Sequence, residues 1–263
     1  MQTFIKDIFQ RNRILAYLGS GFFVLTLLLS IYATINPLQV LGINSMIKPI
    51  KFCISTWAYA WTMAYLLYYV NNQKSVKWYS ILACFVMIFE NGVILVQAFR
   101  GKISHFNQSE LVDGILYALM GVMIVWLTTA TLVISIRFIL QKTYAISQPF
   151  VLSIKIGLIM FVLFSFLGGY MSAINNHNIG GEIGQAGLPL LNWSTLFGDV
   201  RVAHFFGIHS LQVIPLFGYF VSIRFIDESK AKTYIWLAST LYFSFICFTM
   251  YQALDGMPFI RMD

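Results

Sequence analysis

Seven long apolar stretches, joined by short polar connections, leave this chain few ways to fold. They cover roughly residues 14–35, 47–70, 78–99, 111–140, 150–174, 199–225 and 234–254. Each has the ~20 residues that an α-helix needs to cross a hydrocarbon layer. In such a layer every backbone amide must be paired inside the segment or within a closed barrel. Runs this long without strict alternation predict helices. The expected fold is all-α: a polytopic membrane protein with about seven transmembrane helices in a single bundle domain spanning residues 1–263. Composition agrees, because only 10% of residues are charged and 59% are hydrophobic, whereas a soluble domain is about 25% charged. The partner expected first is the lipid bilayer. A net charge of +7 reads as lysines and arginines anchoring loops; no nucleic-acid motif is present, so no nucleic-acid partner is expected. Cys53, Cys84 and Cys247 all fall in apolar runs and read as small buried residues rather than a disulfide framework.

Charge distribution sets an orientation. With the N-terminus inside and seven crossings, the C-terminus lies outside. The inner face then collects Lys6, Arg11, Arg13, Lys74, Lys77, Arg137, Lys142, Arg224, Lys230 and Lys232, as the positive-inside rule requires. The same orientation puts His105, His177, His204 and His209 in the outer half, with Gln97, Asp113, Glu182, Asp199 and Arg201. An outward-facing polar cavity accounts for that bias, with Lys51, Tyr59, Gln97, Asp113 and Gln212 as further lining residues.

Polar side chains inside membrane spans are expensive and call for a reason. Glu90 is the clearest outlier, a carboxylate deep in the third run and followed by Asn91. It is expected to handle protons or to pair with a cation such as Arg201 or Lys51. Lys51, Ser55, Tyr59 and Thr62 recur at helical spacing and predict a polar stripe on the second helix. In DVRVAHFFGIHSLQ, residues 199–212, Arg201, His204, His209 and Gln212 share an arc of about 140° on the sixth helix, and Asp199 is placed to cap it. Pro215 follows as an expected kink. The connection over residues 175–198 is glycine-rich and the longest; its Leu188–Trp193 segment is expected to dip into the membrane interface.

These residues admit three classes of function. In the first, the chain is a redox enzyme acting on a small molecule or lipid, with Glu90 and Arg201 catalytic. Its cofactor would be a transition metal (Fe, Zn or Cu) or haem b, held by His204, His209, His177 or His105. His204 and His209 are five apart, however, and two ligands from one straight helix usually stand three or four apart, so neither pair nor metal is specified by that spacing alone. The second class is a transporter or receptor-like binder of a small solute or proton. The third is a structural subunit, with the polar groups joining helices. A retinal protein is disfavoured because the seventh run has no lysine, and no phosphohydrolase motif occurs.

The segments RGKISHFN, LPLLNWS and GDVRVAHFFGIHSLQ resemble parts of an uncharacterised group of bacterial multi-span membrane proteins. The resemblance implies no activity, only that these segments form one constellation. The expected location is a cell membrane, the bacterial inner membrane, with multiple passes.

Overall fold

The computed structural model describes residues 2–184 and 187–262; Gln185 and Ala186 of the long connection, with Met1 and Asp263, lie outside the described residues. The chain divides into two compact units, Met1–Gln141 and Lys142–Asp263. The first holds α1 (Gln2–Arg11), α2 (Arg13–Ala33), a two-residue hairpin of β1 (Gln39–Val40) and β2 (Ile43–Asn44), α3 (Ile47–Leu66), a 3-10 turn (Leu67–Tyr69), α4 (Gln73–Phe99) and α5 (Leu111–Leu140). The second holds α6 (Gln148–Ala173), β3 (Asn178–Ile179) paired antiparallel with β4 (Gly198–Asp199), α7 (Val200–Arg224) and α8 (Glu228–Leu254). The molecule is an all-α polytopic membrane protein. Among the described residues six helices, α2 and α4–α8, are long and apolar enough to cross a membrane.

The helix over Ile47–Leu66, expected as the second crossing, is not among those six. Two lysines and its Ser, Thr, Tyr and Trp residues lower its hydropathy. It nevertheless runs antiparallel along the length of α2. Trp61 Nε1 donates to Ala16 O at 3.3 Å, the Phe23 and Trp57 rings lie 4.6 Å apart, and at the other end Asn44 Nδ2 donates to Ala33 O at 2.9 Å. Gly19 makes this approach possible, because a Cβ there would stand 2.3 Å from Trp61 Cδ1. One end of the first unit therefore collects Asn12, residues 67–72 and Gln141, and the other collects residues 34–46 and 100–110.

Caps set the helix starts. Asn12 is extended (φ −155°, ψ 96°), and its side chain accepts from Leu15 N to begin α2, while its amide donates to Ser80 Oγ at 2.8 Å. That break separates the short α1 from the first long helix. Asn72 caps α4, which begins five residues before the expected 78. Asp227 accepts from Ser229 N and Lys230 N; it recruits the charged segment 228–232, expected as loop, into a solvated first turn of α8.

The second unit packs through small residues. A Cβ on Gly157 would lie 2.9 Å from Pro215 Cδ, one on Gly218 2.1 Å from Ser153 Cβ, and one on Gly207 2.2 Å from Phe164 Cβ. Close backbone approach through such residues is how helices pack where apolar lipid supplies no driving force. Phe164 and Met160 of α6, Ile214 of α7, and Ile235 and Ile246 of α8 share the core formed there. Gly207→Ala is expected to cost about 1–3 kcal/mol by overpacking. Gly169→Ala, where a Cβ meets nothing within 4 Å, is expected to change thermal stability in detergent little. Equal melting temperatures for the two variants would refute this account of the helix contact.

Candidate functional site

In the first unit a polar line runs along the facing sides of α3, α4 and α5. It begins at Lys48 in the first turn of α3. Lys48 Nζ lies 3.2 Å from His105 Nδ1, and Ser104 Oγ lies 3.1 Å from the same atom. An ammonium can only donate, so Nδ1 accepts and the neutral ring carries its proton on Nε2. Phe52, Phe106 and Tyr117 surround the imidazole with ring centroids at 5.7–6.3 Å. The loop that presents His105 has Phe106 at φ +60°, a conformation that a bulky side chain adopts only when held. Asn107 holds it, donating to Ile103 O at 3.0 Å and accepting from Ser109 N and Oγ.

Glu90 lies nine positions before the end of α4, about 14 Å along the axis. It is buried at 6% exposure, and among the described residues its Oε1 has no hydrogen-bond partner. The charge of Lys48 acts on it. The expected partners were Arg201 and Lys51. Lys51 sits one turn from Lys48 and is half-buried, and Arg201 is bound elsewhere, as described below. The buried face of α3 carries Cys53, Thr56 and Tyr59, so the polar line follows Lys48, Thr56 and Tyr59. The expected stripe of Lys51, Ser55, Tyr59 and Thr62 contributes only Tyr59 to the buried face; the helix is turned by Pro49, Cys53 and Met63, which also face inward.

Next to Glu90, Asn91 Nδ2 donates to Thr56 Oγ1 at 3.0 Å and to Met87 O at 2.9 Å, and Cys53 Sγ approaches Asn91 Oδ1 at 3.8 Å. Deeper in the unit the Tyr59 and Tyr79 hydroxyls are hydrogen-bonded. Tyr79 Oη lies 3.0 Å from Thr131 Oγ1.

Gln97 and Asp113 form a separate cluster at the α4–α5 turn. Asp113 is buried at 1% exposure. Its Oδ1 accepts from Gln97 Nε2 at 2.9 Å and Arg100 Nη1 at 2.6 Å, and its Oδ2 from Lys102 Nζ at 2.9 Å. Glu110 also meets Lys102, at 2.6 Å. Hydrogen bonds that Lys102 donates to Glu110 and Asp113 hold its ammonium's pKa above its ordinary value. Gln97, Arg100, Lys102, Glu110 and Asp113 thus all pair within this cluster, at the base of the loop that carries His105.

In the second unit the buried Asp199 is the hub. It caps α7 by accepting from Arg201 N at 3.0 Å, takes Arg201 Nε at 2.9 Å and Nη2 at 2.6 Å, and accepts from Ser194 N at 2.9 Å. Arg201 also donates to Asn192 O. Its charge is therefore neutralised within two residues of its own position. Trp193, expected in the membrane interface, is buried against Phe205, Phe206 and Phe259.

The three histidines of this unit are alike. His177 Nδ1 lies 2.9 Å from Asn178 Oδ1, His204 Nδ1 lies 3.0 Å from Phe164 O, and His209 Nδ1 lies 3.2 Å from Gln212 Oε1. Each oxygen accepts, so each ring carries a proton on Nδ1; His177 Nδ1 also lies 3.8 Å from Asp199 Oδ1. Gly168 faces the His204 ring, where a Cβ would stand 3.6 Å from Cε1. His209 packs on Phe205 at 4.4 Å. Gln212 serves as the partner of His209. Among the described residues no three His, Cys, Asp or Glu side chains come together in a way that could hold a metal ion. The structure supplies no coordination geometry for the metal expected on His105, His177, His204 and His209.

The residues that sequence reasoning missed are Lys48, Tyr79 and Thr131. Lys48 is one of the lysines that the net charge marks only as loop anchors. Tyr79 and Thr131 stand in apolar runs where nothing local marks them; only their meeting with Tyr59 does.

The fold and the buried polar line together define an α-helical integral membrane protein. No protein-family model matches the chain, and no curated protein or solved structure is similar to it.

Proposed function

We propose that this membrane protein takes up and releases protons at Glu90, as a transporter of protons with or without a small co-transported solute. The observation that carries the reading is the Glu90 Oε1 atom, buried in a membrane helix without a hydrogen-bond partner among the described residues. An ionised oxygen in that position is costly, whereas a bound proton removes the charge. A carboxylate kept this way inside a span is by default a site for a moving ion. The charge of Lys48 acts on it, and Lys48 in turn meets His105.

In this reading the chain crosses the membrane seven times. α3 counts as a crossing because it runs the length of α2, which itself spans. The N-terminus and the basic connections near Lys74, Lys77, Arg137 and Lys142 then face the cytoplasm, and the His105 end faces outward, in a bacterial inner membrane.

The test is proton flux into liposomes holding the purified protein, driven by a potassium diffusion potential and read with an entrapped pH dye. Wild-type flux is expected at least tenfold above empty vesicles, and Glu90→Gln is expected to return it to the empty-vesicle rate. Flux in wild-type vesicles no faster than in empty ones, or unchanged by Glu90→Gln, refutes the reading.

A further inference from the structure

α2 and α4 start at the same end of the first unit, where Asn12 Nδ2 donates to Ser80 Oγ at 2.8 Å, and they run side by side from there. Between them lies an apolar groove of about 480 Å³, lined by Ile14, Tyr17, Gly21 and Leu25 of α2 and by Cys84 and Ile88 of α4. We infer that this groove holds one acyl chain of an anionic phospholipid, with the lipid phosphate among Lys6, Arg13 and Lys77 at the Asn12 end. The inference needs only that α2 and α4 span the membrane, and it does not rest on the Glu90 reading.

Depth and shape fit a lipid chain. From Ile14 to Leu25 the helix rises about 16 Å, and one leaflet of a hydrocarbon core about 30 Å thick is about 15 Å deep. The rims Tyr17 and Ile88 are exposed, so the groove opens sideways along its length. Gly21 forms part of its floor. A Cβ there would meet nothing within 4 Å, so no contact within the first unit asks for a glycine, although glycine costs a helix interior about 1 kcal/mol relative to alanine. Gly19, two residues earlier, is the one that the Trp61 side chain needs. The absent side chain at Gly21 leaves room for atoms that the chain itself does not supply. A helix of a second copy fits less well. Helices that meet through glycine carry another small residue four positions away, and Gly21 has Tyr17 and Leu25 at those positions.

Charge collects at one end of the groove. Lys77 stands two turns before Cys84 and three before Ile88, on one face of α4 and one turn short of Ser80. Arg13 opens α2 one turn before Tyr17 and on its side of the helix. Phe9 of α1 packs edge-on against the Tyr17 ring, with centroids 5.0 Å apart. That contact brings α1 to the mouth of the groove, and Lys6 stands one turn from Phe9. All three cations are exposed, and among the described residues none has an ion-pair partner. The carboxylate of Asp7 is taken by Arg11 at 2.8 Å. An anionic lipid surface attracts each such Lys or Arg by about 1 kcal/mol. An apolar slot one leaflet deep with cations at its end matches the two parts of an anionic phospholipid. If the cations only anchored helix ends, any lipid would serve and filling the groove would change nothing.

The experiment uses the full chain in mild detergent, titrated with an equimolar mixture of phosphatidylglycerol and phosphatidylcholine and read by native mass spectrometry. Phosphatidylglycerol is expected to stay bound about tenfold more often than phosphatidylcholine. Gly21→Leu fills the slot and is expected to lower that binding about tenfold without lowering the melting temperature in lipid-free detergent. Arg13→Gln combined with Lys77→Gln is expected to erase the preference between the two lipids. Glycerol phosphate, which has the headgroup and no chain, is expected not to compete. Equal retention of the two lipids, or full retention by Gly21→Leu, overturns the inference. So does competition by glycerol phosphate at the lipid's own concentration, or a dimer that Gly21→Leu disperses. If Gly21→Leu does not fold, Cys84 decides in a Cys247→Ala chain, where Cys53 is buried and Cys84 half-buried. Phosphatidylglycerol is then expected to slow maleimide labelling of Cys84 about tenfold more than phosphatidylcholine does, and equal slowing by the two lipids, or none, overturns the inference.

Discussion

Asp199→Ala is expected to lower the stability of the protein by about 3–5 kcal/mol, the cost of breaking a buried ion pair from one side. Asp199 has no exposed side-chain surface, while the Arg201 side chain is 26% exposed. Removing the carboxylate leaves a mostly buried guanidinium with, among the described residues, only the Asn192 carbonyl to bind. The same change strips the N-cap from α7 and the acceptor from Ser194 N. Unfolding in detergent by denaturant checks the loss. Asp199→Asn keeps a good capping side chain and is expected to cost less than Ala. Adding Arg201→Met to Asp199→Asn is expected to recover stability, because it removes the stranded cation. A loss for Asp199→Ala of only ~1 kcal/mol, the value of a cap by itself, would show that the ion pair contributes nothing.

Asp113→Ala carries the second large effect. It removes the one buried acceptor shared by Arg100, Lys102 and Gln97. Arg100 and Lys102 are 35% and 26% exposed, so both cations can turn partly toward water, and Glu110 remains beside them. The expected loss is therefore smaller than at Asp199, about 2–3 kcal/mol. Its consequence for the loop is larger than that figure suggests. The loop carries Ser104, His105 and the strained Phe106, so its release separates His105 from Lys48. Ser104 is 4% exposed, and a cysteine placed there is expected to resist a water-soluble thiol reagent in the parent protein and to react readily in the Asp113→Ala background. Equal labelling in both backgrounds would mean that Asp113 does not hold the loop.

Much of the fold could be read directly from the chain, because a span is a local property. Twenty apolar residues commit a segment to a helix in lipid regardless of its neighbours, and Asp199 announced itself as a cap by standing just before such a run. The ends were less legible: the charged residues 228–232 look like loop until Asp227 is seen to cap them. The helix over Ile47–Leu66 shows the converse. Its lysines and polar side chains lower its hydropathy, yet it lies along the whole of α2, and only packing reveals this.

The candidate site was legible as an inventory and not as a set of partners. Glu90 stood out from the sequence because a carboxylate has no cheap place in a span. Lys48, whose charge acts on it, was not singled out beside it, since the rotation of α3 about its axis is fixed by which of its residues pack inward. Arg201 was marked correctly as unusual, but its charge is answered by Asp199, two residues away, and that pairing depends on a buried turn around Asn192 and Ser194. Tyr79 and Thr131 carried no local signal at all. The sequence by itself determined the solvent of this protein, its helices and the chemical groups it must accommodate, because those follow from hydrophobicity along one strand of chain. Only the tertiary structure decided which groups meet, because helix rotation and loop strain arise from contacts between segments distant in sequence.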